Sequence, residues 1–378
     1  METTLHLIRH GKTYANDKEY ICSKLPGSEL NQLGIEQSKN LGKDIESSDY
    51  VFDAIYISPF QRTIRTFTYA NEETKRRWFK KAPIITHAIK ELDYGEYSGE
   101  NPNIKPDNLI KTLERIDKGD YQIRFGVYGE SEIELLVRIY KFLIDQVESP
   151  DQNIALFTHQ CACSVIHKVY REINPDAEKP KVENAKIYKI KFKSEDVKHL
   201  KKLLAEVNQK DIAFTNFLLH KNGVSSLTKF HPSVDLPIDK NITTPLTFAF
   251  DENKNVMLTL DKNDWWNPLG GHIEKNETWK ETLARESIEE AGTEIQDIEI
   301  AGYIEVKRLT FDAPSKYPDI SILPITASKI KRIEENWKKA ETKDRKLVTI
   351  DRAKKLLLER DDNKQIYEIF NYIVTYLL

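Results

Sequence analysis

Three glutamates, Glu286, Glu289 and Glu290, fall at i, i+3 and i+4 within Gly271–Thr293, GHIEKNETWKETLARESIEEAGT. On a helix that spacing puts them on one face. Carboxylates so close repel one another unless a cation sits among them, and hard oxygen donors completed by water suit Mg²⁺ or Mn²⁺. Pro268-Leu269-Gly270-Gly271 reads as a tight loop whose carbonyls can also reach a metal, with Gly270 the residue assigned to it. A second set of groups lies earlier, at Arg9-His10, Arg62, Glu91 and His159. Arg9 and Arg62 can give paired hydrogen bonds to phosphate oxygens. A neutral imidazole can attack phosphorus and carry the phosphoryl group. A second, protonated imidazole and the two guanidiniums would stabilise the charge of transfer. The leaving oxygen needs a general acid, and Glu91 is the candidate.

The glutamates need a helix. Thr278–Ala291 supplies one, with a capping start at Asn276-Glu277-Thr278 and a stop at Gly292. Ala284, Ile288 and Ala291 are expected to form a second, apolar face docked on a sheet. The basic and hydroxyl groups need strand ends. Leu5–Ile8 runs into Arg9, Ala54–Ile57 into Ser58-Pro59 with Arg62 on a following helix, and Asn153–Phe157 into Thr158-His159. Short, mostly apolar runs of this kind read as buried parallel strands. Helical patterns separate them: Leu33–Ile45, with apolar residues at Leu33, Leu41 and Ile45, and Ser131–Val147. Alternating strands and helices predict an α/β sheet, with ligands beyond the strands' carboxyl ends. All three ends carry basic or hydroxyl residues, which predicts a phosphate pocket there.

Lys186–Phe192 reads as an edge strand closing this first domain. Lys193–Lys210 is a charged helix acting as linker or bridge. Asp211–Lys240 is too apolar for a free linker and is assigned only as a cap. Thr243–Asp251 and Asn255–Leu260 form a hairpin, Ile298–Val306 and Ile320–Thr326 are strands, and Ala353–Leu358 and Gln365–Leu377 are closing helices. The expected division is 1–195, a linker or cap at 196–240, and 241–378.

Length and composition agree. A chain of 378 residues suggests two domains. With 39% hydrophobic and 31% charged residues it is globular, and a net charge of −3 gives no basic field for nucleic acid. No apolar run approaches a membrane span, and METTLHLIRHG lacks the apolar core of a signal peptide. Cys22, Cys161 and Cys163 form no disulfide framework and point to a reducing, cytoplasmic setting. The sequence carries no signature of an oligomeric state.

Gly271, Glu277, Arg285, Glu286, Glu289, Glu290 and Gly292 together resemble the signature of the Nudix hydrolases, over about the last 135 residues. Ser287 and Thr293 stand where that motif is usually apolar. The resemblance implies an α/β/α sandwich with a mixed sheet, and divalent-metal hydrolysis of a nucleoside-diphosphate-linked substrate. Glu289 or Glu290 would be the first metal ligand. A base would come from one of them, taken here as Glu289, or from a loop carboxylate such as Glu334, Glu335 or Glu341. Arg285 orients the glutamates. Trp265, Trp266, Tyr303 and Trp337 are possible base-stacking residues, though such aromatics more often pack a core.

Arg9-His10-Gly11, Asn16, Leu30-Asn31-x-x-Gly34-x-x-Gln37, Ser58-Pro59-x-x-Arg62-x-x-x-Thr66, Glu91, Gly129-Glu130-Ser131 and Thr158-His159 resemble the histidine phosphatase superfamily over about residues 1–192. That resemblance implies a three-layer α/β/α fold like phosphoglycerate mutase. It implies His10 as nucleophile, Arg9, Arg62 and His159 as phosphate ligands, and Glu91 as proton donor. No cofactor is implied there. Asn16 and Ser58 are carried over as substrate-binding, and Gln160 joins them because it replaces a usual glycine. Lys12 replaces a usual acid. The short segment between Glu91 and Gly129 favours a phosphatase over a mutase.

The expected activity is therefore two phosphate-releasing centres in one chain, acting on small nucleotides or phosphometabolites. A competing reading, motivated by Gln160, makes one domain a ligand-sensing module. Another makes the second domain an RNA 5′-end pyrophosphohydrolase, against which the near-neutral charge argues.

Overall fold

The computed structural model describes residues 2–48, 50–75, 77–100, 106–178, 182–212, 217–221, 224–237, 239–309, 318–338, 342–359 and 364–378. The chain forms two compact units: Met1–Leu109 with Tyr128–Lys210, and Ile110–Val127 with Asp211–Leu378.

The elements run β1 (Glu2–Arg9), α1 (Tyr14–Asp17), α2 (Gln32–Glu46), β2 (Ala54–Ile57), α3 (Gln61–Glu72), β3 (Ile84–Ile85), α4 (Asp107–Asp117), α5 (Glu132–Glu148), β4 (Asn153–Thr158), α6 (Gln160–Ile173), β5 (Ile187–Lys193) and α7 (Asp196–Ile212). The first sheet has the order β3-β2-β4-β1-β5. β1, β4, β2 and β3 pair in parallel, and β5 closes the edge antiparallel to β1. Leu5, Leu7, Ile8, Ile55 and Ile154 through Phe157 are buried, as in a parallel sheet covered on both faces. Arg9 pairs with Thr158 and Ile57 with Phe157, so Arg9-His10, Ser58 and His159 leave the sheet at the same end.

Of the three apolar residues in the α2 pattern, Leu41 and Ile45 are buried and Leu33 is 48% exposed. The buried stripe of the helix is Gly34, Ser38, Leu41, Gly42 and Ile45. A Cβ at Gly34 would lie 1.9 Å from the Lys12 carbonyl oxygen, and one at Gly42 would lie 2.2 Å from that of Ala70. The helix approaches its neighbours through bare backbone, which a search for apolar periodicity does not detect.

The second unit continues with β6 (Phe217–Lys221), β7 (Val224–Pro232), β8 (Asn241–Ile242), β9 (Leu246–Phe250), β10 (Val256–Leu260), β11 (Trp266–Asn267), β12 (Leu269–Gly270), α8 (Trp279–Ala291), β13 (Thr293–Arg308), β14 (Ile320–Ile333), β15 (Asp344–Val348), α9 (Ile350–Leu358) and α10 (Lys364–Tyr376). All its strands join one mixed sheet with β11-β10-β9-β14-β13-β7-β6 as its main path. β9 runs parallel to β14, and the other pairings on this path are antiparallel. The segment 211–240, assigned above only as a cap, supplies β6 and β7 to that sheet. Phe230, Phe248, Ile304 and Ile325 meet Ile366, Ile369, Phe370 and Ile373 of α10 in its core.

Residues 110–127 belong to this second unit. Arg115 donates from Nε and Nη2 to Asp120 Oδ2 at 3.0 and 2.8 Å, and Tyr372 Oη donates to the same oxygen at 2.7 Å. Arg115 also reaches the Ala301 carbonyl. Arg115, Asp120 and Tyr372 are all at most 4% exposed. Among the described residues, no helix is long and apolar enough to cross a membrane.

Candidate active sites

In the first unit, the loop after β1 is held from three sides. Gly11 N–H donates to Thr66 Oγ1 and Lys12 N–H to Gln37 Oε1, both at 2.9 Å, and Asn184 Nδ2 donates to the His10 carbonyl at 2.7 Å. A Cβ at Gly11 would lie 2.5 Å from the Gly34 oxygen. Gly34, Gln37 and Thr66 of the sequence pattern thus shape the loop that carries His10.

His10 Nδ1 lies 2.7 Å from the Gly11 carbonyl oxygen. A carbonyl only accepts, so Nδ1 carries the proton and Nε2 keeps its lone pair. His159 is the reverse. Its Nδ1 accepts from Arg62 Nε at 3.2 Å, so the proton sits on Nε2, which donates to Ser58 Oγ at 2.7 Å. The ring centroids are 5.3 Å apart. Burial, and then the Arg62 charge, hold both imidazoles well below their ordinary pKa of 6.5. His10, Arg62 and His159 are each at most 4% exposed.

Glu91 Oε1 accepts from Leu92 N–H at 3.0 Å and from Cys161 N–H at 3.1 Å. It therefore sits on the N-terminus of α6, where the capping residue His159 offers no side-chain bond. Its charge also reaches Arg62. The segment that carries Glu91 is clamped by Arg138 of α5. Arg138 donates to the Ala88 and Lys90 carbonyls at 3.0 Å and pairs with Glu130 at 2.8 Å.

Arg138 is not legible in the sequence, where it reads as one more helical charge. Cys22 is not legible either. Its sulfur accepts from Ser28 N–H and lies 3.9 Å from Arg62 Nη1.

The remaining expected residues lie as follows. Arg9 donates to the Val182 carbonyl at 3.3 Å and lines a cavity of about 490 Å³ with Gln37, Asn40, Asn184 and Lys186. His10, Arg62 and His159 do not line that cavity. Asn16 is exposed, and its Oδ1 accepts from Thr13 N–H in a capping box, leaving Nδ2 as its donor. Gln160 is the half-buried first residue of α6.

In the second unit, α8 begins at the Thr278 cap and ends at Gly292, whose φ of +53° is left-handed. Its last carbonyls are all met: Trp337 Nε1 donates to Glu289, Thr342 Oγ1 to Glu290 and Arg345 Nη1 to Ala291. The apolar face expected from Ala284, Ile288 and Ala291 does not form. Ala284 and Ile288 are exposed, and the buried face is Thr282, Leu283, Glu286, Ser287 and Ala291. One acid of the signature packs inward, and that turns the helix away from its most apolar side. A Cβ on Gly271 would fall 2.1 Å from Glu286 Oε1, so the glycine makes a cradle for this carboxylate.

Arg285 lies between the acids. It pairs with Glu277 at 2.9 and 3.1 Å, and its Nη1 is 3.0 Å from Glu286 Oε1 and 2.9 Å from Glu289 Oε2. Glu290 Oε2 accepts from Gly270 N–H at 3.0 Å. The repulsion read from the sequence is thus relieved for two of the three carboxylates by a resident guanidinium. Among the described residues, no three His, Cys, Asp or Glu side chains are gathered closely enough to hold a metal.

Glu334 N–H donates to the Gly292 carbonyl, and its carboxylate pairs with Arg332. Glu335 is exposed, and Glu341 lies outside the described residues. Trp266 and Tyr303 are buried, the latter stacked on His231 at 5.0 Å. Trp337 closes the end of α8, and Trp265 is partly buried with its N–H on Asp261.

A model of the histidine phosphatase superfamily (branch 1) matches residues 5–203, and one of the NUDIX domain matches residues 243–370. The chain is similar to the 2,3-bisphosphoglycerate-dependent phosphoglycerate mutase of Treponema denticola. It is 26% identical over 258 residues, covering 67% of this chain and 89% of that one. Among solved structures, a phosphoserine phosphatase mutant of Entamoeba histolytica in complex with phosphoserine is 22% identical. The match covers 50% of this chain and 89% of that one, at a TM-score of 0.40. A phosphoglycerate mutase of Thermus thermophilus is 20% identical, covering 50% and 92%, at a TM-score of 0.37. The chain belongs to the histidine phosphatase superfamily, branch 1, and carries a NUDIX domain behind that region.

Proposed function

We propose that this chain is a bifunctional phosphohydrolase. The first site hydrolyses a phosphomonoester through a phosphohistidine on His10. The observation that carries this is the Gly11 carbonyl, which holds the proton on Nδ1 and leaves Nε2 its lone pair beside Arg62. Nε2 forms the bond to phosphorus as the ester P–O bond breaks, and Glu91, which takes up a proton beside the bound phosphate dianion, gives it to the leaving oxygen. Water then attacks phosphorus as the Nε2–P bond breaks, Glu91 takes a proton from that water, and inorganic phosphate leaves. Arg9, Arg62 and His159 hold the phosphoryl oxygens, with Asn16, Ser58 and Gln160 around the substrate. A bound dianion reverses the electrostatics at His159. The negative charge favours a second proton on the ring that Arg62 now disfavours.

The second site hydrolyses a nucleoside-diphosphate-linked substrate: a nucleoside triphosphate, a damaged nucleotide or a dinucleoside polyphosphate. Glu286, Glu289, Glu290 and the Gly270 carbonyl are an all-oxygen donor set of the kind that Mg²⁺ or Mn²⁺ takes, and the carboxylates would have to draw together from their present partners to hold it. Such a cation, when bound, neutralises the charge of the diphosphate. Arg285 holds Glu286 and Glu289 in place, and Glu289, the more exposed of this pair, acts as the base. Three free cysteines support a cytoplasmic setting.

The likeness to phosphoglycerate mutases favours a second reading for His10, in which the phosphoryl group returns to another hydroxyl of a phosphoglycerate. Incubation with 3-phosphoglycerate separates the two: a mutase gives 2-phosphoglycerate, a phosphatase gives free phosphate.

The main test compares the whole protein with its His10→Ala and Glu289→Gln variants on a nucleotide panel with Mg²⁺, counting phosphate and pyrophosphate separately. If neither variant changes release from any nucleotide, the bifunctional reading fails. EDTA should abolish the second activity and spare the first. Equal loss of both contradicts two independent chemistries.

A further inference from the structure

We propose that a cavity in the second unit, running from Glu290 to α10, holds the nucleobase of the substrate, and that Gln365 is the side chain that reads it. This rests on the nucleotide reading above and names the part of the substrate that this site selects. The cavity measures about 320 Å³, at the small end of the roughly 300–1,000 Å³ usual for small-molecule sites. That size suits one base, with the rest of a larger substrate outside.

One end of the cavity is the phosphate end. Gly270 and Glu290 line it, already joined by the bond from Gly270 N–H to Glu290 Oε2. The rest is mostly apolar, walled by Leu246, Ile304, Val306, Leu323 and Ile366 from β9, β13, β14 and α10, with Thr259 and Asn267 adding polar groups at β10 and β11. No lysine or arginine is among the described residues that line it. A phosphate would be poorly held there. A flat, uncharged group with polar edges would be held well, by apolar walls and a few placed hydrogen-bonding groups. None of Trp265, Trp266, Tyr303 and Trp337 lines the cavity, so the base is gripped by aliphatic walls instead of an aromatic stack.

Gln365 is the group that chooses. It is 1% exposed and precedes Ile366 in the apolar stripe of α10. A carboxamide buried among aliphatic side chains costs stability unless it is hydrogen-bonded. Thr228 Oγ1 donates to Gln365 Oε1 at 3.1 Å, which fixes the carboxamide with Nε2 as its donor. Asp261, also on the wall, adds an acceptor through its remaining lone pairs: its Oδ1 takes Asn263 and Trp265 N–H, and its Oδ2 takes Asn263 Nδ2 at 3.4 Å. A donor and an acceptor in one apolar cavity match the edge of a base better than they match a sugar ring.

The test uses the full chain. Val306→Trp fills the cavity from a half-buried position on β13, and Gln365→Leu removes the reading group while keeping its bulk. Initial rates with Mg²⁺ are taken on ATP, GTP, CTP and UTP. Binding of the four nucleoside monophosphates is measured by calorimetry in EDTA, with the phosphatase site disabled by His10→Ala. Val306→Trp should raise KM for every triphosphate at least tenfold, more than it lowers kcat, and should weaken monophosphate binding by a similar factor. Gln365→Leu should change the ratio of kcat/KM between the best and worst base at least tenfold. If Gln365→Leu melts early, Gln365→Glu keeps a polar group of similar size and is read for the same change of preference.

A folded Val306→Trp protein with unaltered KM and monophosphate affinity overturns the proposal. So does an unchanged base preference in both Gln365 variants. If the wild-type chain cleaves no triphosphate, the hydrolase reading fails. Monophosphate binding in EDTA then still decides the cavity: loss in Val306→Trp supports a base site, and no binding by the parent protein overturns it.

Discussion

His10 and His159 carry their protons on opposite nitrogens because different partners dictate them. A carbonyl takes the Nδ1 proton of His10, and a guanidinium N–H occupies Nδ1 of His159. Both pKa values are depressed, so folding favours the neutral rings. Their stabilising contribution is complete above about pH 6.5 and is lost as pH falls through the lower folded values. Imidazole ¹⁵N spectra of the substrate-free protein at pH 5.5 should show both rings neutral, His10 as the Nδ1–H tautomer and His159 as the Nε2–H tautomer. Two imidazolium signals at that pH would contradict the assignment.

Ser287 gives a second residue-scale expectation. It stands where the Nudix pattern is usually apolar, and its Oγ is fully buried without a hydrogen-bond partner among the described residues. Ser287→Ala should therefore stabilise the protein by about 1 kcal/mol. A lower unfolding midpoint would show that the hydroxyl has a use. At this scale the sequence was most legible where chemistry needs a rare group. His10, Arg62, Ser58 and His159 come together as their strand ends foretold. Arg138 was not legible, because its work is done through backbone carbonyls whose position only the fold defines.

The elements were legible as kinds and positions, less so as faces. α8 starts and stops where its caps announced, yet its buried side is the one carrying Glu286 and Ser287, and Ile288 is left 45% exposed. Apolarity alone chose the wrong side because the glycine opposite, Gly271, makes room for a carboxylate. α2 repeats the lesson, with Gly34 and Gly42 inward and Leu33 outward. β13 and β14 run past the strand-like stretches of sequence, through register shifts between Glu294/Ile295, Gln296/Glu299 and Ile300/Gly302 that break the alternation. Gly271→Ala tests the helix–loop contact directly. Its Cβ would displace the Glu286 carboxylate, so Mg²⁺-dependent nucleotide hydrolysis should fall at least tenfold, while phosphate release by the His10 site stays unchanged. Equal activity in the variant would mean that the Glu286 position does not matter to the reaction.

At the scale of the whole molecule, the chain passes between its two units three times, after Leu109, Val127 and Lys210. The sequence-based division keeps 110–127 with the first domain, because Glu91 and Gly129 flank them in one family pattern. By contacts these residues belong to the second unit. Nothing local signals this, since Arg115 and Asp120 read as ordinary helix and loop charges until Tyr372 and the Ala301 carbonyl are beside them. Breaking a buried ion pair from one side leaves the other charge uncompensated, at a cost of roughly 3–5 kcal/mol. Asp120→Ala should destabilise the second unit by about that much, even though residue 120 lies inside the span of the phosphatase family model. Four of the five tryptophans, Trp265, Trp266, Trp279 and Trp337, lie in the second unit, so fluorescence in urea reports mainly on its unfolding. The fluorescence midpoint should drop clearly in Asp120→Ala. It should drop further in a fragment of residues 211–378, which lacks 110–127 altogether. A fragment as stable as the full chain would mean that the second unit folds without the segment it borrows from the phosphatase sequence.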